Sequence, residues 1–227
     1  MCGRYTLHQK VEDIAKRFNL ATIPTDIHEN YNVAPGQLMP VITEDESGRH
    51  LELMKWGLVP SWSKDPSIGF RLINARDDTV FNKPVWRKII LKQRALIPAD
   101  GFYEWKRVVD GQKVQKQPYY IHPKQVNLFA FAGVWETWKD AGGLDWKTYS
   151  IITTRPNGEM ATVHDRMPVI LPSEDEASWL EPWRTNRADI EPLLLPYQDD
   201  GLEIFEVSGD VNTARINEEY LIYPLES

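Results

Sequence analysis

Cys2 directly follows Met1, and its small side chain favours removal of the initiator methionine. The residue would then carry a thiol and a free α-amine on adjacent carbons. The reference pKa of an α-amine is about 7.7–8.0 and that of a thiol about 8.5, so both are partly nucleophilic near neutral pH. Such a pair can do what a lone lysine cannot. The amine condenses with an aldehyde to an imine, and the thiol closes onto the imine carbon to give a five-membered thiazolidine. A second-position cysteine is by itself most often incidental, so the weight falls on the residues that accompany it.

Four segments share one pattern. Cys2-Gly3-Arg4, Asn74-Ala75-Arg76, Glu104-Trp105-Lys106 and His164-Asp165-Arg166 each place a reactive polar group two residues before a cation. In extended chain, residues i and i+2 share a face, roughly 6.5–7 Å apart. Each pair can present a chemical group beside a phosphate-binding cation, which suits chemistry on a sugar flanked by phosphates. Single triplets of this kind arise by chance among 26 Lys and Arg, so only their convergence would carry meaning. Exposed aromatics would complete a single-strand site by stacking on bases, with Trp62 and Trp105 as candidates. Most of the nine tryptophans are expected in the core.

The bulk properties narrow the class. The 227 residues suit one domain over 1–227 with a sizeable core. One cysteine excludes an internal disulfide and a Cys-rich zinc module. His8, His28, His50, His122 and His164 lack metal-ligand spacing, and no GxxxxGK[ST] or GxGxxG loop occurs, so neither metal nor cofactor is expected. No apolar run approaches the roughly 18 residues of a membrane span, and no secretory leader is visible; a cytoplasmic, DNA-associated location is expected, and separately a monomer. The net charge of −7 is unevenly spread. From Ser173 onward 14 acidic residues meet 3 basic ones, a net of −11, which leaves +4 on residues 1–172. Every candidate site residue lies in the basic part.

The elements that must hold these groups read as α+β. Thr6 and Gln9 have capping-box spacing, which predicts a helix over Leu7–Asn19. Tyr31 to Gly36 reads as a loop, Met39–Thr43 and His50–Trp56 as strands, and Pro84–Lys92 as a short helix. Strands follow at Arg94–Pro98, Phe102–Val109, Pro118–His122, Leu128–Trp138 and Tyr149–Thr154. Ser173 and Glu176 form a second capping box before a helix to Leu180. A helix over Arg187–Leu194 and a strand over Glu203–Val207 complete the reading.

Six segments in order, MCGRY at the start, YNVAPG at 31–36, WGLVPSW at 56–62, INAR at 73–76, ADGFYEWK at 99–106 and VHDRMPVIL at 163–171, resemble the SRAP family of SOS-response-associated peptidases or abasic-site processing proteins. The resemblance implies a mostly antiparallel, bifurcated β-sheet curled into a pseudo-barrel with peripheral helices. It implies binding of single-stranded DNA and a covalent thiazolidine crosslink between Cys2 and an abasic site, shielding the lesion. It also implies lyase-type activity and cysteine-peptidase self-processing, in a DNA damage response shared with replication or repair proteins. By the same matching, Asn74 holds the sugar and the cysteine backbone, Glu104 assists imine formation, and His164 assists ring opening and reversal. Arg4, Arg76 and Arg166 would contact phosphates, Pro35 and Trp62 the broken base stack, and Thr153 the bound backbone. Three rival readings stand beside it. An N-terminal-nucleophile amidotransferase also begins Cys-Gly, but Arg4 replaces the usual small or apolar residue. A cysteine peptidase could use Cys2, Glu104 and His164. A non-catalytic single-strand binding module would need only the arginines and Trp62.

Overall fold

The computed structural model describes residues 2–20, 27–111 and 113–225. Met1, whose removal the sequence predicts, lies outside the described residues. Among the described residues the chain forms β1 (Arg4–Leu7), α1 (Val11–Phe18), β2 (Asn30–Val33), β3 (Leu38–Asp45), β4 (Gly48–Trp56), β5 (Asn74–Arg76) and α2 (Asp77–Val80). There follow β6 (Arg94–Ala99), β7 (Gly101–Asp110), β8 (Lys113–Pro123), β9 (Phe129–Lys139) and β10 (Asp145–Thr154). The C-terminal part adds β11 (Met167–Pro168), β12 (Ile170–Leu171), α3 (Glu176–Leu180), α4 (Arg187–Ile190) and β13 (Leu202–Glu206).

Five strands close into a barrel. β10 is bonded to both β4 and β9, and the path β4-β3-β6-β9 returns to it. β5 and β11 extend from β10, and β12 from β9. A second sheet, antiparallel throughout, runs β13-β8-β7-β1-β2. This is the forked, curled sheet the family resemblance implies. Two pairings are parallel, with Tyr149 opposite Trp56 and Ile151 opposite Asn74. The chain leaves β4 at Trp56, makes a loop over 57–73, and rejoins β10 further along in the same direction as β5. The base of that loop needs glycine. Gly57 has φ +114°, and a Cβ there would lie 2.7 Å from the Gly69 carbonyl oxygen.

The core fills the barrel and the seam between the sheets. Tyr5 of β1 crosses that seam. Its ring meets Trp56 and Phe131 edge-on at centroid distances of 5.2 and 6.0 Å, and its hydroxyl hydrogen-bonds that of Tyr149 at 2.8 Å. Trp56, Trp86, Trp138 and Trp179 are buried, Trp105 and Trp135 half-buried, and Trp62, Trp146 and Trp183 exposed. Six of the nine are therefore buried or half-buried, and three stand outside the core. Buried Arg94 ties the outer layer to the barrel by donating to the carbonyls of Ile90, Trp179 and Glu181. Its desolvation lowers the guanidinium pKa to about 10.

The helical expectations need correction. Helix α1 begins at Val11 rather than Leu7, because the supposed cap Thr6 belongs to β1 and its hydroxyl serves Asp100. Likewise α3 begins at Glu176 rather than Ser173. The Glu176 carboxylate is buried against Arg17, at 2.7 and 3.0 Å, instead of closing a capping box. Residues 84–92 bury Trp86, Ile89 and Ile90 as a helical face would, but they form successive turns with intermittent i→i−4 bonds. The segment 187–194 is α4 followed by a 3₁₀ turn over Glu191–Leu193, where Pro192 interrupts the α-helical ladder. The first half of the YNVAPG segment belongs to strand β2, and only residues 34–36 turn.

Asp100 is the single residue between β6 of the barrel and β7 of the second sheet. Its buried carboxylate accepts from the Thr6 hydroxyl, the His8 amide at 2.6 Å and the Gln9 amide at 3.2 Å, while its own amide donates to the Thr6 carbonyl at 3.1 Å. Burial still leaves this carboxyl above its ordinary pKa range. Gly101 follows because Tyr120 passes so closely that a Cβ would lie 2.1 Å from its hydroxyl oxygen. Asp100→Ala would orphan three donors at roughly 1–3 kcal/mol for each that stays dry. We expect urea denaturation to show a loss of about 2–4 kcal/mol, with a smaller loss for Asp100→Asn; a loss below about 1 kcal/mol for the alanine variant contradicts this role.

Candidate active site

Pairing along β1 places the N-terminal residues. Arg4 lies opposite Tyr103 and Tyr5 opposite Phe102, so the antiparallel run carries Cys2 alongside Glu104 and Trp105 on β7. Asn74 comes from the other sheet. It opens β5 opposite Ile151, and its side-chain amide donates to the Cys2 carbonyl at 2.8 Å. The nucleophile candidate is thus held where the barrel meets the second sheet. Its thiol is buried and donates weakly to the Arg4 carbonyl at 3.6 Å. Burial pushes the Cys2 thiol far above its usual pKa, and the nearby Glu104 charge pushes it in the same direction. At neutral pH the sulfur is therefore a thiol, not a thiolate.

Glu104 is buried on β7, and its Oε2 lies 3.9 Å from His164 Nε2. His164 follows the 3₁₀ turn at Met160–Thr162. Its Nδ1 faces the backbone N–H of Arg166 at 3.1 Å, an arrangement that places the proton of the neutral ring on Nε2, toward Glu104. Asp165 Oδ1 lies 3.0 Å from the same Nδ1. The four candidates Cys2, Asn74, Glu104 and His164 are accordingly brought together, as a buried thiol and carboxylate with an amide and an imidazole at their edges.

The other predicted residues divide. Arg4 is half-buried, its Nη1 donating to the Gly3 carbonyl at 2.9 Å, and burial lowers its pKa. Arg76 is exposed and paired with Asp78 at 2.7 and 3.2 Å, which raises its pKa. Arg166 is mostly buried. It donates to Asp77 Oδ1 at 2.6 Å and to the Thr153 carbonyl, so it braces the site from within. Thr153 is fully buried in β10, and its carbonyl and hydroxyl face Arg166 rather than the surface. Trp62 is 67 % exposed on the loop after β4, and Pro35 stands on the turn after β2. Trp105 is half-buried over the second apolar cluster and donates from Nε1 to Asn212 at 2.9 Å.

An open groove of about 690 Å³ runs past Glu104 and His164. Lys106, Arg107 and Lys116 line it, and register explains why, since Arg107 and Lys116 are direct partners across the β7–β8 hairpin. Arg107, Lys116 and Asp77 were absent from the expected set. Hairpin pairing would have revealed the two cations. Asp77 is visible only once β5, α2 and β10 meet, where it accepts from both Arg166 and Thr154. The arrangement can donate and accept protons beside a thiol in a desolvated site, with three cations along the groove at its mouth.

The family model described as SOS response associated peptidase (SRAP) matches residues 1–214. Abasic site processing protein YoqW of Bacillus subtilis is 45% identical over 224 residues, covering 98% of this chain and 99% of its own length. Abasic site processing protein HMCES of Mus musculus is 30% identical, covering all of this chain and 76% of its own. A solved structure from Bacteroides thetaiotaomicron superposes with a TM-score of 0.89 at 29% identity, over 99% of this chain and 100% of its own. A match over nearly the whole chain, with the six motif segments in order, means that this protein belongs to the SRAP family.

Proposed function

We propose that the protein processes abasic sites in single-stranded DNA by crosslinking to them through Cys2. The observation that carries this reading is the convergence of Cys2, Asn74, Glu104 and His164 at one seam, beside a cation-lined groove. Loss of Met1 frees the α-amine. That amine attacks the aldehyde carbon of the ring-opened sugar and forms a carbinolamine. The Glu104 carboxylate takes the two protons of the attacking nitrogen in turn and passes them to the former carbonyl oxygen, which leaves as water to give the imine. The Cys2 sulfur then bonds to the imine carbon while its proton passes to the nitrogen. Aldehyde plus aminothiol thus becomes thiazolidine plus one water.

The buried thiol supports this order. Held protonated by desolvation and by Glu104, it is a poor first nucleophile, whereas the amine needs no thiolate. Asn74 fixes the Cys2 carbonyl and so the direction of the amine. His164, with Nε2 toward Glu104, returns protons to the carboxylate and lets the sequence run backward. Lys106, Arg107 and Lys116 attract phosphates, and exposed Trp62 offers a stacking face. The protein would act as one intracellular domain at damaged DNA.

Three outcomes test the reading. Wild-type protein mixed with single-stranded DNA carrying one abasic site is expected to give a heat-stable shifted species on denaturing gels. Cys2→Ala and a residue inserted before Cys2 should both abolish it, the second because the α-amine is lost. A full-strength species from either variant overturns the proposal. Glu104→Gln should slow formation by about 10²-fold or more, and an unchanged rate removes Glu104 from the proton transfers. Finally, a raised thiol pKa means less thiolate at any given pH. Iodoacetamide at pH 8 should therefore alkylate Cys2 in the folded chain at least about 100-fold more slowly than in urea, and equal rates would refute a buried, protonated thiol.

A further inference from the structure

Behind the loop over 57–73 lies a second cavity, of about 260 Å³, that the crosslinking chemistry does not use. Its walls are chiefly Trp56, Phe70, Trp138 and Trp146. The indole N–H groups of three of these are already engaged. Trp56 donates to Ile73, Trp138 to Ser63 at 2.7 Å, and Trp146 to Asp140 at 3.1 Å. What they offer the cavity is apolar surface. Phe70 is 63% exposed and Trp146 39%, with Trp62 and Leu144 exposed on the same loop and hairpin, an apolar concentration that marks a binding surface. The volume falls below that of drug-sized sites and suits a single planar ring system.

We propose that this cavity receives a nucleobase of the bound DNA strand close to the abasic sugar, a subsite that deepens the DNA reading above and rests on it. Two observations choose this occupant. The first is continuity. Gly36 forms part of the cavity wall, and it directly follows Pro35 on the turn leaving β2. Tyr5 pairs with Val33, so the same antiparallel run brings that turn alongside Cys2. A strand whose abasic sugar reaches Cys2 therefore passes the mouth of the cavity. The second is charge. Lys55 lines the cavity, and Lys64 and Arg71 stand on the loop that covers it, where phosphates on either side of an inserted base would lie. The carboxylate in the wall, Asp140, is engaged by the amides of Gly142 and Leu144 as well as by Trp146. Stacking on aromatic faces tolerates every base, so the subsite would hold the strand without reading its sequence.

The test uses single-stranded oligonucleotides with one reactive abasic site and a stable tetrahydrofuran, which lacks a base, at each nearby position in turn. The affinity of Cys2→Ala protein with an otherwise unchanged cavity, measured by anisotropy, is expected to fall about tenfold when one particular neighbour loses its base. In the same Cys2→Ala background, Phe70→Ala and Trp146→Ala, both at exposed positions, should bind the strand without tetrahydrofuran about tenfold more weakly and show no further loss at that position, with melting temperatures near that of the parent. Equal affinity across the whole series, or the same positional loss in both variants, overturns the subsite. So does a concentration-dependent dimer that Phe70→Ala dissolves, which would assign the cavity to a second copy of the chain. Crosslinking by wild type of the control strand, which carries the reactive abasic site and no tetrahydrofuran, separates these results from failure of the parent reading. A control that crosslinks while the series stays flat removes the subsite alone.

Discussion

The chain passes from barrel to second sheet through one residue, Asp100, and the position of β1 depends on how that residue is held. Its carboxylate gathers the Thr6 hydroxyl and the amides of His8 and Gln9, and Gly101 beside it leaves room for Tyr120. These contacts fix β1 against β7 in one register. A shift of one residue would turn every β1 side chain to the opposite face, taking Tyr5 out of the core. The same register carries Cys2 alongside Glu104, so the geometry of the candidate site follows from a buried polar knot some distance along the chain.

Desolvation then sets the chemistry. A buried thiol beside a buried carboxylate is costly, and the structure meets that cost by keeping the sulfur protonated. In the chemistry we propose, an imine forms by losing water, and a buried site would favour that step. Cations stand outside this dry centre, in the groove along the β7–β8 hairpin, while the acidic excess is confined to the C-terminal region. The net charge of −7 is thus a poor guide to what the working face attracts.

Much of this was legible in the residues. Asn74, Glu104 and His164 stood out because each precedes a cation by two positions, and two of those pairs do lie on strands. The pattern misled where the cation serves the protein itself, as Arg166 does when it closes on Asp77 and Thr153. Local capping signals misled for a related reason. Thr6 and Glu176 have the right spacing for caps, but a distant partner, Asp100 or Arg17, claims each side chain. The parallel β4–β10 and β5–β10 pairs were illegible because they depend on where a 17-residue excursion returns, which short-range periodicity does not encode.

The central claim is that Cys2 becomes bonded through both nitrogen and sulfur. Nuclease digestion of the crosslink followed by mass spectrometry of the N-terminal peptide tests it most directly. The expected peptide begins at Cys2, carries the deoxyribose remnant less one water, and has neither an alkylatable thiol nor a primary α-amine. A remnant carried on a lysine, or on Cys2 with its thiol still free to alkylate, would contradict it.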